Sequence, residues 1–589
     1  MKNKVADNKS SGTLLYQRFP RWLLAAILYG ISWSYFAGIN LSFIAWFAFV
    51  PLFIDLENRN TFRAFYSRAL LFSAVAYFII CHGFLFTVRV HYLIFIGAAD
   101  ELFLTSISFA LIYPFKKRYG FKTALMIFPF VISLWEWLYQ QFEHSTGYLM
   151  LSNSQCRNTW FIQYIDLFGV WSIGCWVMLF NVLLFFQYKK LLVTPKSPAV
   201  KKKFVWICLA MLVPPLLYFA FKHWQYDTKP GRQISITMIN SQFTIWDSSP
   251  DKWENKIERL TFLTDSIDYE LHSTVRGGEY TTFSSAVAER EGGLKSKRIK
   301  SDLYVWSEGA IDYGNDTAVT HFINTAINDW QTPLLTGMQF IPEDAAKDDF
   351  RRVNRAALFD GDSQNKNNFY DKLKLFPIRE RIPYHELLAK IPYFPFKIND
   401  PSFLKEGNGI KLIDLKIENG RKVKIGTPIC QEQNYPEIWS EMAVKGAECF
   451  VQLSFESWWY LDYFKKQMAD ITRLRCIETR RCAARCSNGG VTSFIDAMGK
   501  IYSPADKKEG VTKANLSIDN DVSFFSNHQY LFLLMSLLMV FTLMVHSELR
   551  QSHEYKIKFL RKKLITQKIE FIATTFRSWK YKDPWKLGL

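Results

Sequence analysis

Residues 410–439 read "IKLIDLKIENGRKVKIGTPICQEQNYPEIW", and their pattern decides how the second half of the chain folds. Two alternating apolar runs, 410–417 and 421–429, flank Asn419-Gly420. That dipeptide favours a tight hairpin, because the central positions of such a turn need positive φ. The second run ends on Cys430, and after Pro436 the period changes to that of a helix. A cysteine at the end of a buried strand is ordinarily apolar filler. The residues brought to the same sheet ends decide whether this one is more.

Working outward, "ECFVQLSF" (448–455) reads as a further strand and 464–485 as a long Arg-rich helix, and "GVTSFIDAMGKIYS" (490–503) as a second hairpin. Upstream, "ISITMIN" (234–240), "DLYVWSEGA" (302–310), "TPLLTGMQF" (332–340) and "RAALFD" (355–360) carry strand patterns, and 252–267 has the period of an amphipathic helix. Strands and helices alternate over 225–527, which predicts a layered α/β domain. The polar stretches 271–300 and 342–368 read as loops, the latter around one short strand.

The rest of the chain has another character. Of its 589 residues 17% are aromatic, and the mean hydropathy near zero averages two unlike halves. Apolar runs fill 20–222 and return at 529–547, and a bilayer span takes about 20 such residues. Eight spans are expected, at 20–38, 40–56, 67–88, 91–114, 122–140, 164–187, 203–222 and 529–547. Asp100 and Glu101 interrupt the fourth, so it is expected to break or to line a polar cavity. Lys and Arg crowd 1–19, 57–68, 116–122, 188–203 and the 548–589 tail, whereas 141–163 has almost none. The positive-inside bias therefore puts both termini in the cytoplasm and the 225–527 domain outside. No cleavable signal peptide is expected, because the first apolar run leads straight into a second.

The net charge of +18 follows from those loops and that tail, and it favours anionic lipid. No nucleic-acid module, phosphate-binding Gly loop or metal-ligand spacing stands out, so neither a nucleic-acid partner nor a metal or other cofactor is expected. The nine cysteines form no CxxC pair. Cys476, Cys482 and Cys486 fall at helical intervals, and either a disulfide or buried free thiols would suit an external domain.

Three residues with chemical potential fall at strand ends: Glu308, Lys372 and Cys430. A thiol needs a base or a neighbouring cation to become a nucleophile. A carboxylate can take its proton, and a buried ammonium can stabilise the oxyanion formed on an attacked carbonyl. "VWSEGA", "YDKLKLFPIRERIP" and "ICQEQNYPEI" together resemble the Glu-Lys-Cys arrangement of the nitrilase, or carbon–nitrogen hydrolase, superfamily. With spans on both sides of that domain, and "RLRCIETRRCAARCSNGGVTSFID" (473–496) within it, the chain resembles the apolipoprotein N-acyltransferase branch. The resemblance runs from about 20 to 547.

The resemblance implies a multi-span α-helical membrane domain plus an extracytoplasmic α-β-β-α sandwich. The expected division is a cytoplasmic 1–19, a membrane domain at 20–222, the catalytic domain at 225–527, a final span at 529–547 and a basic cytoplasmic tail at 548–589. By resemblance Cys430 is the acyl-accepting nucleophile, Glu308 the general base and Lys372 the oxyanion-stabilising cation. Glu380 supports the lysine, Glu432 matches a further acidic residue, and the Gln431 backbone N–H is a second oxyanion donor. Tyr370 and Pro377 frame the motif. The implied reaction moves an acyl chain from a membrane phospholipid, through a Cys430 thioester, to the N-terminal amine of a diacylated lipoprotein at the outer face of a bacterial inner membrane. Three positions depart from the pattern: Ile378-Arg379 stands for Phe-Gly, Gln431 for the common Tyr, and Phe455-Glu456 for Asn-Asp before the tryptophans of "FESWW". The aromatic "FESWWYLDYF" segment suits either a membrane interface or a core. A membrane-tethered hydrolase and an inactive, scaffold-like descendant are the rival readings.

Overall fold

The computed structural model describes residues 20–33, 39–82, 102–195, 197–228, 231–243, 253–265, 301–343, 345, 349–361, 368–392, 403–417, 420–459, 461–505 and 509–580. The 271–300 loop, Asp100 and Glu101 lie outside them.

The helical half comprises α1 (Arg21–Ser32), α2 (Val50–Glu57), α3 (Phe62–Cys81), α4 (Ile107–Tyr119), α5 (Phe121–Gln140), α6 (Trp171–Val193) and α7 (Pro198–Thr228). The last long helix of the chain is α12 (Leu531–Lys580). Five of these, α3, α5, α6, α7 and α12, are long and apolar enough to cross a membrane. The expected span at 40–56 is not one helix. A 3-10 turn, Ser42–Trp46, precedes α2, which has only eight residues. Asn181 of α6 explains the break, since its side chain accepts from Phe49 N at 2.9 Å and donates to Ala45 O at 2.9 Å. Buried backbone groups freed from a helix must find such partners. The basic tail expected from 548 onward begins as a continuation of α12, which runs on to Lys580.

Among the described residues the α/β half holds twelve strands in two six-stranded sheets. In the first the order is β12-β1-β2-β3-β4-β5: Gly510–Ile518, Arg232–Asn240, Leu303–Val305, Leu334–Phe340, Val353–Phe359 and Phe369–Asp371. In the second it is β11-β10-β9-β8-β7-β6: Ile501–Ala505, Thr492–Ile495, Ala483–Asn488, Cys449–Phe455, Lys422–Gly426 and Ile413–Lys416. The sheets stack face to face, with Ile236, Val305 and Leu335 of one against Ile425, Val451 and Cys486 of the other in one buried cluster. Outside the first sheet lie α8 (Trp253–Asp265) and α9 (Thr317–Trp330), packed through Leu260, Ile323 and Trp306. Against the second lie α10 (Pro436–Val444) and α11 (Asp462–Thr479). The layering is α-β-β-α.

The hairpin at 410–426 pairs Ile413 with Ile425 and Leu415 with Val423, and Gly420 takes φ +76° in its turn. The helix expected over 464–485 ends earlier. Arg480 takes φ +54°, and 483–488 pairs with β8 in parallel instead. Sheet pairing outweighs a helical period that continued through Cys482 and Cys486. All nine cysteines are free thiols, so the disulfide alternative falls.

The two halves are strapped together. On one face of α11, Phe464, Ile471 and Leu474 join the apolar core of the helical half. Trp459 and Tyr463 pack against the same core, so this part of the aromatic segment is core. The loop after α5 reaches the strand end of Cys430: Gln140 donates to Asn434 O at 2.7 Å and Tyr435 Oη to Ser145 O at 2.7 Å.

Candidate active site

The nucleophile candidate sits where β7 stops. Cys430 opens a 3-10 turn, Cys430–Asn434, with φ +53°, a left-handed conformation that side-chain-bearing residues seldom adopt. Such strain persists where surrounding contacts over-determine the backbone, and it turns a side chain out of the strand. Cys430 is half-buried.

Opposite it, Glu308 follows β2 and Lys372 follows β5. Lys372 Nζ lies 3.3 Å from Glu308 Oε1 and 2.9 Å from Glu380 Oε1, with its side chain fully buried. Burial opposes the ammonium charge, but Glu308 and Glu380 outweigh it and hold the lysine pKa well above its usual value. Burial pushes the Glu308 pKa up, against the pull of Lys372, so its carboxyl holds a proton more readily than a surface glutamate. Its second oxygen, Oε2, is buried without a hydrogen-bond partner. Burial and then the Glu308 charge push the Cys430 thiol up, and Lys372 opposes them. At rest the thiol keeps its proton beside a carboxylate with one open acceptor atom, the arrangement of a nucleophile and its base.

Glu432 joins the two loops. Its carboxylate accepts from Tyr370 Oη at 2.8 Å, Leu373 N at 2.7 Å, Lys374 N at 3.2 Å and Ile429 N at 2.7 Å. It pins the Lys372 loop to the Cys430 turn. The Gln431 N–H lies in the first turn of that 3-10 segment, where donors lack intrahelical partners. Pro377 bridges Arg381 in a tight turn that aims Glu380 inward. All of the sequence-derived residues therefore meet at one site.

Two contributors were not foreseen. Asn354 of β4 donates to Glu308 Oε1 at 2.7 Å and to Glu380 Oε1 at 3.3 Å. Gly337 of β3 lies so close to the Glu308 turn that an added Cβ would sit 2.6 Å from Glu308 Cα. Their signals were a polar residue and a glycine inside otherwise apolar strands. Behind Cys430, Glu456 pairs with the fully buried Arg485, and Gln452 donates to Gln433 Oε1 at 2.7 Å.

This sandwich, with a strained cysteine facing a buried lysine between two carboxylates, defines a carbon–nitrogen hydrolase fold, and residues 251–520 match that family. Residues 25–183 match the apolipoprotein N-acyltransferase N-terminal domain. The apolipoprotein N-acyltransferase of Chlorobaculum tepidum is 28% identical over 543 residues, covering 87% of this chain and 93% of that protein. Apolipoprotein N-acyltransferase 2 of Treponema denticola is 24% identical over 432 residues, covering 69% and 75%. Among solved structures, Saccharomyces cerevisiae Nit3, a member of branch 10 of the nitrilase superfamily, aligns at 16% identity and a TM-score of 0.33, over 51% of this chain and 94% of that one. The two matched segments and these relatives make the chain similar to the apolipoprotein N-acyltransferases along most of its length.

Proposed function

We propose that the protein transfers an acyl chain from a membrane phospholipid, through a thioester on Cys430, to the N-terminal amine of a diacylated lipoprotein. In this reading it is a multi-pass protein of a bacterial inner membrane, and its α/β half faces the periplasm. The observation that carries the proposal is the setting of Cys430. A strained thiol lies opposite Glu308 and Lys372, on an α/β unit fastened to helices of membrane-spanning length.

Glu308 Oε2 takes the thiol proton as the sulfur attacks an ester carbonyl of the lipid. Lys372 Nζ and the Gln431 N–H stabilise the oxyanion. Collapse breaks the ester C–O bond, and the departing lysophospholipid oxygen takes the proton back from Glu308. The lipoprotein amine then attacks the thioester and gives a proton to Glu308. An amide forms, and the released thiolate is reprotonated. Fastening the unit to the helices holds the thiol beside a bilayer that supplies both substrates.

Incubating the protein with phospholipid and mapping acyl adducts by mass spectrometry tests this. A hydroxylamine-sensitive adduct is expected on the Cys430 peptide, absent in Cys430→Ala. Adduct on another cysteine would remove Cys430 from the mechanism. Mass spectra of lipoprotein N-termini from cells with and without the protein test the acceptor.

A further inference from the structure

One departure from the family pattern, Arg379, touches the tryptophan loop that follows another, Phe455-Glu456. The Arg379 guanidinium stacks 4.5 Å from the centroid of the Trp458 ring. Trp458 is held in turn by its indole N–H on Phe455 O at 2.9 Å and by the Phe455 ring at 5.7 Å. The contact joins the two loops that border the thiol. One carries Glu380, which grips Lys372; the other carries Glu456, which pairs with Arg485 behind Cys430. Phe455 also lies against Gly309, next to Glu308.

The loop 372–381 bears four cations. Lys372 is committed to Glu308 and Glu380, and Arg381 to Glu143 at 3.0 Å and to Glu406. Lys374 is half-buried over the Tyr435 ring. Arg379 is the one exposed, and no ion pair or hydrogen bond joins it to another described residue. Its neighbour Ile378 is 44% exposed at φ +65°, a costly conformation for a β-branched residue. The turn is closed by Ile378 N on Arg381 O at 2.6 Å and Glu380 N on Phe376 O at 2.9 Å.

We propose that Arg379, braced on Trp458, is a specificity residue that binds the phosphate of the phospholipid acyl donor while its ester lies at Cys430. This rests on the acyl-transfer reading above. The cation–π contact leaves the guanidinium N–H donors without a hydrogen bond to any other described residue, and a planar fork of donors matches two phosphate oxygens at once. Glu308 and Glu380 would otherwise make the entrance unfavourable to an anionic lipid, and a cation at the rim offsets them. In a phospholipid the phosphate and the ester are separated by a short glycerol bridge, which suits one group at the rim and the other at the thiol. The acceptor offers an amine, which a guanidinium would not attract.

The test uses the full-length protein in lipid nanodiscs, with wild type, Arg379→Ala and Arg379→Lys. Two rates are read: acylation of Cys430 by donor, and passage of the preformed acyl group to a diacylated lipopeptide. Donors are a phospholipid and the matching diacylglycerol, which has the same esters and no phosphate. Arg379→Ala should lower kcat/KM for acylation by phospholipid about tenfold to a hundredfold, mainly through KM, as expected for a lost charge-assisted contact. Arg379→Lys should fall between. Acylation by diacylglycerol and the second step should be unchanged, as should the melting temperature. Equal loss with both donors, loss confined to the second step, or no loss would overturn the assignment. Inhibition of wild type by millimolar inorganic phosphate that disappears in Arg379→Ala would also overturn it, in favour of a free-anion site. If wild-type Cys430 is never acylated by phospholipid, the acyl-transfer reading itself fails, a result distinct from all of these.

Discussion

Asn354 and Lys372 donate to the same two carboxylate oxygens, Glu308 Oε1 and Glu380 Oε1. The neutral amide and the ammonium together hold two buried acids side by side, which like charges would not do alone. Removing the amide should leave Glu308 with its pKa further raised, because the Asn354 contact is one of the influences lowering it. Asn354→Ala should therefore keep the fold, lower kcat, and move the acid limb of the pH–rate profile to higher pH. Asn354→Asp, which adds a third carboxylate, should be worse. An unmoved limb in Asn354→Ala would show that the amide does not tune Glu308.

Lys372 is the larger test. Losing one oxyanion donor costs roughly 10²–10³ in rate, so Lys372→Ala should lose at least that factor in Cys430 acylation. Its burial adds a stability effect. Breaking a buried ion pair by deleting one partner costs about 3–5 kcal/mol. Without the ammonium, which opposes the effect of burial, Glu308 would have a still higher folded pKa. Stability tied to a raised carboxyl pKa is full at low pH and lost as pH rises through it. The stability deficit of Lys372→Ala should thus shrink as pH is lowered from 7 towards 5, while activity stays lost. Lys372→Arg should not recover the rate, because a planar fork cannot replace a compact ammonium between two carboxylates. Wild-type acylation rates in Lys372→Ala would remove the residue from the chemistry.

Gly337 tests how closely β3 must approach the Glu308 turn. A Cβ there would meet Glu308 Cα at 2.6 Å, Ser307 O at 2.8 Å and Gly309 N at 2.9 Å, and none of these is the end of a flexible side chain. Gly337→Ala must move backbone, at about 3 kcal/mol or more, the upper part of the usual range for overpacking. Activity should fall with stability. For contrast, Gly420 has open space around its would-be Cβ, and Gly420→Ala should cost only the strain of φ +76°. Unaltered acylation and melting in Gly337→Ala would contradict the packing described here.

What the sequence disclosed and what it hid divide along local against long-range information. The 410–430 hairpin was legible because a period of two and an Asn-Gly turn are local signals. Glu308, Lys372 and Cys430 stood out because strand ends are easily found, and the resemblance supplied their roles. Asn354 and Gly337 stayed hidden because their importance lies in a neighbouring strand's turn. The helical period through Cys482 and Cys486 misled for the same reason: parallel pairing with β8 sets that segment. Hydropathy likewise gave one span at 40–56, where Asn181, far along the chain, stabilises a broken one.

The orientation of the chain is open to a direct test. The loop after α5 and the segment leading into α6 contact the α/β half, through Asn434–Thr146 at 2.9 Å, Val170–Glu478 at 2.6 Å and Arg480–Asp166 at 2.9 Å. The Lys-rich 188–203 segment lies at the opposite ends of α6 and α7. Reporters fused after 223 and after 548 should therefore fall on opposite sides, the first periplasmic and the second cytoplasmic. Reporters on the same side would mean that α12 does not cross the membrane.

Glu432 gives the clearest dependence on pH. Burial raises its pKa to about 6, against four hydrogen bonds that favour the charged form. Above that value the carboxylate offers only acceptors to the Tyr370 hydroxyl and three backbone N–H groups. Below it one oxygen becomes a donor facing donors, and the clamp between the Lys372 loop and Ile429 loosens. Acylation of Cys430 should fall on the acid side with a midpoint near 6. Stability should not follow it down. A folded pKa raised above 4.5 means that this group's contribution is full below 4.5 and is lost as pH rises through about 6, so protonating Glu432 does not itself unfold the protein. The melting temperature should stay level, or rise slightly, between pH 7 and 5.5 while the rate drops. Glu432→Gln, which cannot ionise, should be slow at every pH and flat across this window. An acid limb that persists unchanged in Glu432→Gln would belong instead to Glu308, whose pKa burial also raises, and Glu432 would then be a clamp without a pH role.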